Sequence, residues 1–174
     1  GKTVAVVGGG NSGLDAAVQM LKICPKVYLI DVESKLKADE IMIHQVKSAP
    51  NVEIIYNTRV KEILGGDFVN GIEIENVDTH ERRRLDVDGV FVEIGLAPNS
   101  ASVKDLVHLN PIGEVPVDCA ARTGIPGLYA AGDVTDVPEK QIIIAAGDGA
   151  KAALGAYSYI VRLPASDDWG PMAT

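Results

Sequence analysis

The sequence predicts an α/β fold in which a parallel sheet carries an antiparallel β-meander on one face. Three observations lead to this prediction. The 174-residue chain begins with an apolar, β-branched run that ends in three glycines. Strand-like and helix-like segments then alternate as β-α-β-α-β, the order typical of parallel strands with right-handed crossovers. Several strand-like runs follow without helices between them, and they indicate the meander.

Each element of the first half has its own local signal. Thr3–Val7 is a continuous run of β-branched and apolar residues, as in a strand that is covered on both faces. Apolar residues at spacings of three and four predict a helix over residues 11–23, which Pro25 ends. The next elements are a strand at 27–30, a helix at 37–47 with Ala38, Ile41, Met42 and Val46 on one side, and a strand at 52–56.

The alternation of strands and helices ends after the third strand. The meander consists of strand-like runs at 60–64, 69–77 and 82–87, and a return strand at 90–94 ends at Gly95. A loop-rich stretch, a short buried strand at 128–131, a helix at 141–162 and a tail-like segment at 166–174 complete the chain. The composition shifts after Gly95, so we expect two domains, residues 1–95 and 96–174.

Composition and charge exclude several classes of protein. Apolar residues make up 47% of the chain and charged residues 23%, as in an ordinary globular protein. A net charge of −8 repels phosphate backbones, so we expect no nucleic acid partner. No apolar stretch reaches the length of a membrane span. The two cysteines form no C-x-x-C and the three histidines have no metal-ligand spacing, so we expect no metal site and a reducing cytoplasm.

The glycine run matches a dinucleotide-binding fingerprint. Gly8, Gly10 and Gly13 are the glycines of G-x-G-x-x-G, directly after a strand and at the start of a helix, as in a Rossmann-like sheet. Gly8 allows the tight turn, Gly10 lets a pyrophosphate approach, and Gly13 lets the helix pack closely. Asn11 and Ser12 open the helix, where unpaired N–H groups favour phosphate. The alternative is a glycine-rich strand–helix turn that binds no ligand.

Asp31 indicates which nucleotide the site prefers. It ends the second strand, where a carboxylate can accept hydrogen bonds from the ribose hydroxyls of NADH and would repel the extra phosphate of NADPH. The following Val32 and Glu33 add no positive charge. The sequence therefore favours NADH, although Asp31 could instead simply cap the turn that follows it.

Four segments, taken in order, carry a resemblance to a known family. They are residues 4–13, 89–99, 125–133 and 140–153, and they span nearly the whole chain. They resemble the flavin-containing pyridine nucleotide-disulfide reductases of the bacterial thioredoxin reductase type. Thioredoxin reductases that use NADPH carry His-Arg-Arg where this chain has Asp31, Val32 and Glu33. The chain is therefore more similar to the flavoprotein subunit of alkyl hydroperoxide reductases within that family.

The resemblance implies an FAD/NAD(P)-binding three-layer fold and two cofactors. Residues 1–95 would be the NAD(H)-binding domain, and residues 96–174 the C-terminal strand–helix part of an incomplete FAD domain. Further cofactor-binding residues implied by the resemblance are Gly95, Gly132, Asp133, Lys140, Gln141 and Ile142. Without the resemblance, Asp133 would be an ordinary turn or helix-start carboxylate. Family members also carry an earlier FAD fingerprint and a C-x-x-C, so we expect this chain to be a fragment.

The function expected from the resemblance is that of an oxidoreductase. The intact protein, expected to be a homodimer, would pass a hydride from NADH to FAD and electrons on to a thioredoxin-like or peroxiredoxin-like partner. This chain would supply no catalytic residue and would be inactive alone. Two alternatives are a module that only binds NAD, and a relative without the dithiol that reduces another acceptor such as ferredoxin.

Overall fold

A computed structural model describes residues 1–163, and the expected tail at 166–174 lies outside the described residues. Four parallel strands form the first sheet, in the order β3-β2-β1-β7. They are β1 (Thr3–Val7), β2 (Lys26–Ile30), β3 (Val52–Ile55) and β7 (Gly89–Val92). Val6 is paired with Leu29 on one side and with Phe91 on the other, so β1 lies at the centre. This arrangement confirms the predicted parallel sheet.

The meander forms a separate three-stranded antiparallel sheet. Its strands are β4 (Thr58–Gly65), β5 (Val69–Asn76) and β6 (Arg82–Leu85), in the order β4-β5-β6. Ile72 and Ile74 of β5 are fully buried in one core with Ala5 and Ile30 of the parallel sheet. Because these side chains meet between the two sheets, the meander covers one face of the parallel sheet, as predicted.

Two helices cover the opposite face. They are α1 (Asn11–Leu21) and α2 (Glu40–Lys47). Leu14 and Val46, one from each helix, are fully buried in a second core with Val6 and Leu29 of the sheet. Successive residues of a strand point to opposite faces, so Val6 faces the helices and Ala5 the meander. The predicted three-layer α/β fold is thus the observed one.

The start of α2 differs from the prediction. The helix begins at Glu40 and not at Lys37, because the Lys37 N–H donates to the Gly9 carbonyl at 2.9 Å and the Asp39 N–H is bound by Asn11. Ile41 is 83% exposed, and it does not share the packed side with Met42 and Val46. Ile43 takes the packed position instead.

The chain divides into two compact units, with the division after Gly95. In the second unit a 3₁₀ turn, Gly132–Val134, precedes one long helix, α3 (Ile142–Ile160). The predicted strand at 128–131 is wrong. Among the described residues this segment makes only an isolated bridge, between Tyr129 and Arg122. A strand needs the backbone of a neighbour along its length, and one bridge does not provide that. No helix within residues 1–163 is long and apolar enough to cross a membrane.

Candidate functional site

The candidate site lies at the carboxyl edge of the parallel sheet. All four strands run in the same direction, so β1, β2 and β7 end at this edge. The chain proceeds from β1 outward to β2 and β3, and returns to the other side of β1 as β7. Such a switch in strand order leaves a crevice at the strand ends, where open α/β sheets bind ligands. The glycine turn and Asp31 both lie there.

The glycines of the turn have the backbone conformation and the surrounding space that the fingerprint requires. Gly8 has a φ of 122°, and a Cβ on it would lie 2.1 Å from the Glu93 carbonyl oxygen. A Cβ on Gly13 would lie 1.9 Å from the Gly8 carbonyl oxygen, so α1 packs directly on the turn. A Cβ on Gly10 would meet only one atom, the Lys37 carbonyl oxygen at 4.0 Å. Side chains at Gly8 and Gly13 are therefore excluded by the fold, whereas the space over Gly10 is open.

The first turn of α1 can receive an anion. Gly10 is the N-cap residue, no side chain caps the helix, and no acidic residue lies in its first turn. The N–H groups at Asn11, Ser12 and Gly13 have no partner within the helix, because intrahelical bonds begin four residues in. Ser12 is exposed, whereas the Asn11 Oδ1 accepts the Asp39 N–H at 2.8 Å. The residues present thus fit a pyrophosphate. The Asn11 side chain connects the start of α1 to the loop before α2.

Asp31 is fixed in place at the end of β2. Its N–H donates to the Ile55 carbonyl at 3.0 Å, and its own carbonyl accepts the Thr58 N–H at 2.9 Å. The side chain is buried, and its Oδ1 accepts the Glu33 N–H at 3.2 Å. One carboxylate oxygen of Asp31, Oδ1, therefore caps the turn that follows β2, as the alternative interpretation of this residue expected. The other oxygen, Oδ2, is directed toward the glycine turn, where a Cβ on Gly9 would lie 1.9 Å from it.

A cavity of about 340 Å³ opens beside Asp31. Gly8 and Asp31 line it from the strand ends, and β4 forms the opposite wall. The apolar residues Val32, Ile63, Val92 and Ile94 also line it, and each has about half or more of its surface exposed. An apolar cavity beside a carboxylate can accept a flat ring that is attached to a sugar.

The cations on β4 lie near Glu75. Val60 packs into the core between the sheets, so its neighbour Arg59 points to the outer face of the meander. Arg59 donates from Nε and Nη2 to the Glu75 Oε1, at 3.0 and 2.5 Å. Lys61 Nζ lies 3.9 Å from the same oxygen. Glu75 therefore holds Arg59 by direct hydrogen bonds, whereas Lys61 lies at the outer limit of an ion pair with it, and both residues also line the cavity.

The ion pairs around Glu75 make the stability of the folded chain depend on pH in the acid range. Hydrogen bonds from Arg59, and then from Arg82, lower the pKa of Glu75 from 4.5 to about 2. Because the folded pKa is depressed, the carboxylate contributes stability above about pH 4.5, and this contribution is lost as the pH falls through about 2. We expect Glu75→Gln to be less stable than wild type at neutral pH, and the difference to shrink below about pH 4.5.

Urea unfolding midpoints of both proteins, measured from neutral pH down to about pH 3, test this expectation. Glu62→Gln is the matched control, since it removes the same charge from an exposed side chain of β4. A Glu75→Gln deficit that stays constant across the whole pH range would contradict the assigned cause.

The second unit places its predicted site residues around the start of α3. Gln141 is the N-cap residue, and its side chain does not cap the helix. Asp133, Gln141 and Ile142 are exposed, and Ile142 is 92% exposed. Gly132 has a φ of 75°, and a Cβ on it would lie 3.1 Å from the Ala145 Cβ. This glycine allows the 3₁₀ turn to pack on α3.

Lys140 is already engaged within the second unit. Its Nζ lies 2.9 Å from the Glu114 Oε1 and also donates to the Thr135 carbonyl. Lys140, followed by Asn110, lowers the pKa of Glu114. The Lys140 ammonium is therefore bound by Glu114 and Thr135, whereas Asp133 and the first turn of α3 stay accessible. Gly95, which ends the first unit, has a φ of 100° and is exposed, so it serves the backbone turn there.

Gly9 is a residue of the site that the sequence pattern did not reveal. It is buried, and a Cβ on it would collide with Asp31 and lie 2.9 Å from the Leu36 Cδ2. The fingerprint treats this position as any residue, so its pattern does not single out Gly9. The available signal was that the position between the fingerprint glycines Gly8 and Gly10, which can be any residue, is also glycine.

Comparison with known proteins assigns the family. The family model for pyridine nucleotide-disulphide oxidoreductases matches residues 1–150. The chain belongs to this family. A subunit of the alkyl hydroperoxide reductase of Staphylococcus aureus is 48% identical over 161 residues, which are 92% of this chain and 32% of that protein. The same subunit from Pseudomonas putida is 46% identical over 166 residues, 95% of this chain and 32% of that protein.

Solved structures of the same family agree with the fold. Lactococcus lactis thioredoxin reductase matches with a TM-score of 0.77 and 32% identity, over 93% of this chain and 54% of that one. T. acidophilum thioredoxin reductase matches with a TM-score of 0.75 and 39% identity, over 92% and 53%. These matches confirm the resemblance to the disulfide reductases. The chain spans about a third of the curated relatives' length and about half of the solved chains.

Proposed function

We propose that residues 1–95 bind NADH at the carboxyl edge of the parallel sheet. The observation that carries the proposal is the placement of the uncapped start of α1, behind the open Gly10, at the same edge as Asp31. The helix start offers N–H groups and a positive dipole end to a pyrophosphate. Asp31 offers a carboxylate oxygen to the hydroxyls of the adjoining ribose.

The remainder of the adenosine has a place beside Asp31. The cavity there is lined by Val32 and Ile94, whose exposed apolar surfaces suit an adenine ring. Burying a flat aromatic ring against such side chains is favourable, because it removes apolar surface from water. Phosphate, ribose and base thus each meet a group suited to them.

The charges around Asp31 support a preference for NADH over NADPH. Lys37 is paired with Glu33 at 2.7 Å, and Arg59 is held by Glu75 on the outer face of the meander. A phosphate on the ribose would therefore meet the carboxylate of Asp31 while these two cations are engaged elsewhere. Like charges in contact at a binding site disfavour the ligand that brings them together.

Titration calorimetry of the chain with NADH and NADPH tests the proposal. We expect wild type to bind NADH more tightly, and Asp31→Ala to weaken NADH about 10-fold or more, the equivalent of one lost charge-assisted hydrogen bond. NADPH affinity should stay or rise, because the repulsive charge is gone. Equal or tighter binding of NADPH by wild type would refute the preference, and binding of neither would refute the site.

In the intact protein this site would deliver electrons to a flavin. We propose that residues 96–174 form part of an FAD site, using Gly132, Asp133, the first turn of α3 and the Lys140 loop. FAD, when bound, supplies a two-electron carrier that accepts hydride from NADH and reduces a disulfide. The residues of this chain bind and orient the cofactors, and we assign none of them a catalytic role.

The partner of the intact protein would be a disulfide-containing redox protein. The named relatives are alkyl hydroperoxide reductase subunits and thioredoxin reductases, which points to a peroxiredoxin-like or thioredoxin-like partner in the cytoplasm. We propose that the intact protein is a homodimer. Mixing it with NADH and a disulfide-containing thioredoxin or peroxiredoxin, and following loss of NADH absorbance, distinguishes this function from a module that only binds the nucleotide.

A further inference from the structure

Gly9 and Asp31 compete for one space at the edge of the sheet. Gly9 is buried, and a Cβ built on it would lie 1.9 Å from the Asp31 Oδ2 and 2.9 Å from its Cγ. Real Cβ atoms do not approach other heavy atoms so closely. The carboxylate therefore occupies the volume that any side chain at position 9 would need.

Neither backbone can move aside to relieve this contact. The Gly9 carbonyl accepts the Lys37 N–H at 2.9 Å, and Leu36 lies on the same side of the glycine as Asp31. The Asp31 backbone is bound through its N–H to Ile55 and through its carbonyl to Thr58. A methyl group at position 9 would therefore rotate the short Asp31 side chain away from its present place, because that rotation breaks fewest bonds.

We propose that Gly9 is a positioning residue for nucleotide choice. Because Gly9 has no side chain, the Asp31 carboxylate can occupy the position from which it accepts hydrogen bonds from the ribose hydroxyls. The role rests on the proposed NADH site and adds a second determinant of its specificity. Gly9 acts through Asp31 and not by touching the nucleotide. Gly10, in contrast, acts on the pyrophosphate, which NADH and NADPH share.

Nucleotide titrations of four proteins test the proposal: wild type, Gly9→Ala, Asp31→Ala and the Gly9→Ala/Asp31→Ala double variant. We expect Gly9→Ala to weaken NADH about 10-fold or more, with little change for NADPH, so that the ratio of the two affinities collapses. Once Asp31 is alanine, Gly9→Ala should change that ratio no further. Contacting residues that act together show such non-additivity.

Gly10→Ala is the matched control. A Cβ there meets only the Lys37 carbonyl oxygen at 4.0 Å, so the fold tolerates it. It obstructs the approach of the pyrophosphate, and we expect it to weaken NADH and NADPH by the same factor and to leave their ratio unchanged. A purely structural role for Gly9 would also leave the ratio unchanged, so the ratio distinguishes the two roles.

The outcomes that overturn the proposal are specific. If Gly9→Ala keeps the wild-type ratio, or if the two substitutions change the ratio additively, Gly9 does not act through Asp31. If Gly9→Ala does not fold, removing the competing carboxylate with Asp31→Ala should restore folding in thermal melts, and failure to do so also refutes the shared space. Wild type that binds neither nucleotide refutes the NADH site itself, whereas loss of the preference in both Gly9→Ala and Asp31→Ala, with the preference kept in Gly10→Ala, supports both proposals.

Discussion

Gly13→Ala is expected to destabilise the first unit, although alanine is usually the better residue inside a helix. Gly13 lies in the first turn of α1, and a Cβ on it would lie 1.9 Å from the Gly8 carbonyl oxygen. That atom belongs to the backbone of the turn, so the helix must move away from β1 to admit the methyl. We expect a loss of about 3 kcal/mol in the free energy of unfolding, at the upper end of the range typical of overpacking.

Thermal unfolding of the two proteins measures this loss, and Gly147→Ala is the matched control. Gly147 lies inside α3, and a Cβ on it would meet nothing within 4 Å. The same substitution there should raise stability by about 0.5–1 kcal/mol, the usual gain of alanine over glycine in a helix. If Gly13→Ala stabilises the chain as much as Gly147→Ala does, the close approach of α1 to the turn is wrong.

This chain, purified by itself, is expected to hold no FAD. Affinity for a dinucleotide rests heavily on a glycine turn and helix start that bind its pyrophosphate. The sequence has one such turn directly after a strand, and we assign it to NADH. The second unit offers the exposed Asp133 and the start of α3, where Ile142 and Ile143 are 92% and 80% exposed. These groups suit part of a flavin and leave its pyrophosphate without a site.

Visible absorbance and the flavin content of the denatured protein test this expectation. A colourless preparation that binds NADH agrees with it, whereas stoichiometric FAD released on denaturation contradicts it. Adding FAD to wild type and to Asp133→Ala provides the control. A fluorescence change that saturates in wild type and disappears in Asp133→Ala would show that the second unit binds flavin without further help.

Local patterns were sufficient to predict the order of the elements in the first unit. The apolar runs of β1 and β2, the glycine turn between β1 and α1, and the loss of helical periodicity after β3 all produced the observed elements. These signals are local because each depends on side-chain spacing or on the geometry of one turn. The position of Asp31 at the sheet edge followed from the parallel order of the strands.

The errors arose where distant backbone bonds decide the structure. Residues 37–39 have a helical pattern, but hydrogen bonds to Gly9 and Asn11 hold them in the loop before α2. Residues 128–131 have a strand-like composition, but the described residues supply only one bridge to them. The Gly9–Asp31 contact was also hidden, since it joins positions in two different turns. Spacing along one segment does not report such contacts.

The place of β7 in the parallel sheet has a consequence for synthesis on the ribosome. β7 pairs with the central strand β1, yet the whole meander lies between them in the chain. Until Gly89–Val92 emerges, one edge of β1 has no neighbour, and its unpaired backbone N–H and C=O groups can pair with strands of other nascent chains. Completion of the four-stranded sheet is therefore delayed to the end of the first unit's translation, and a ribosome stalled within the meander would expose an aggregation-prone edge.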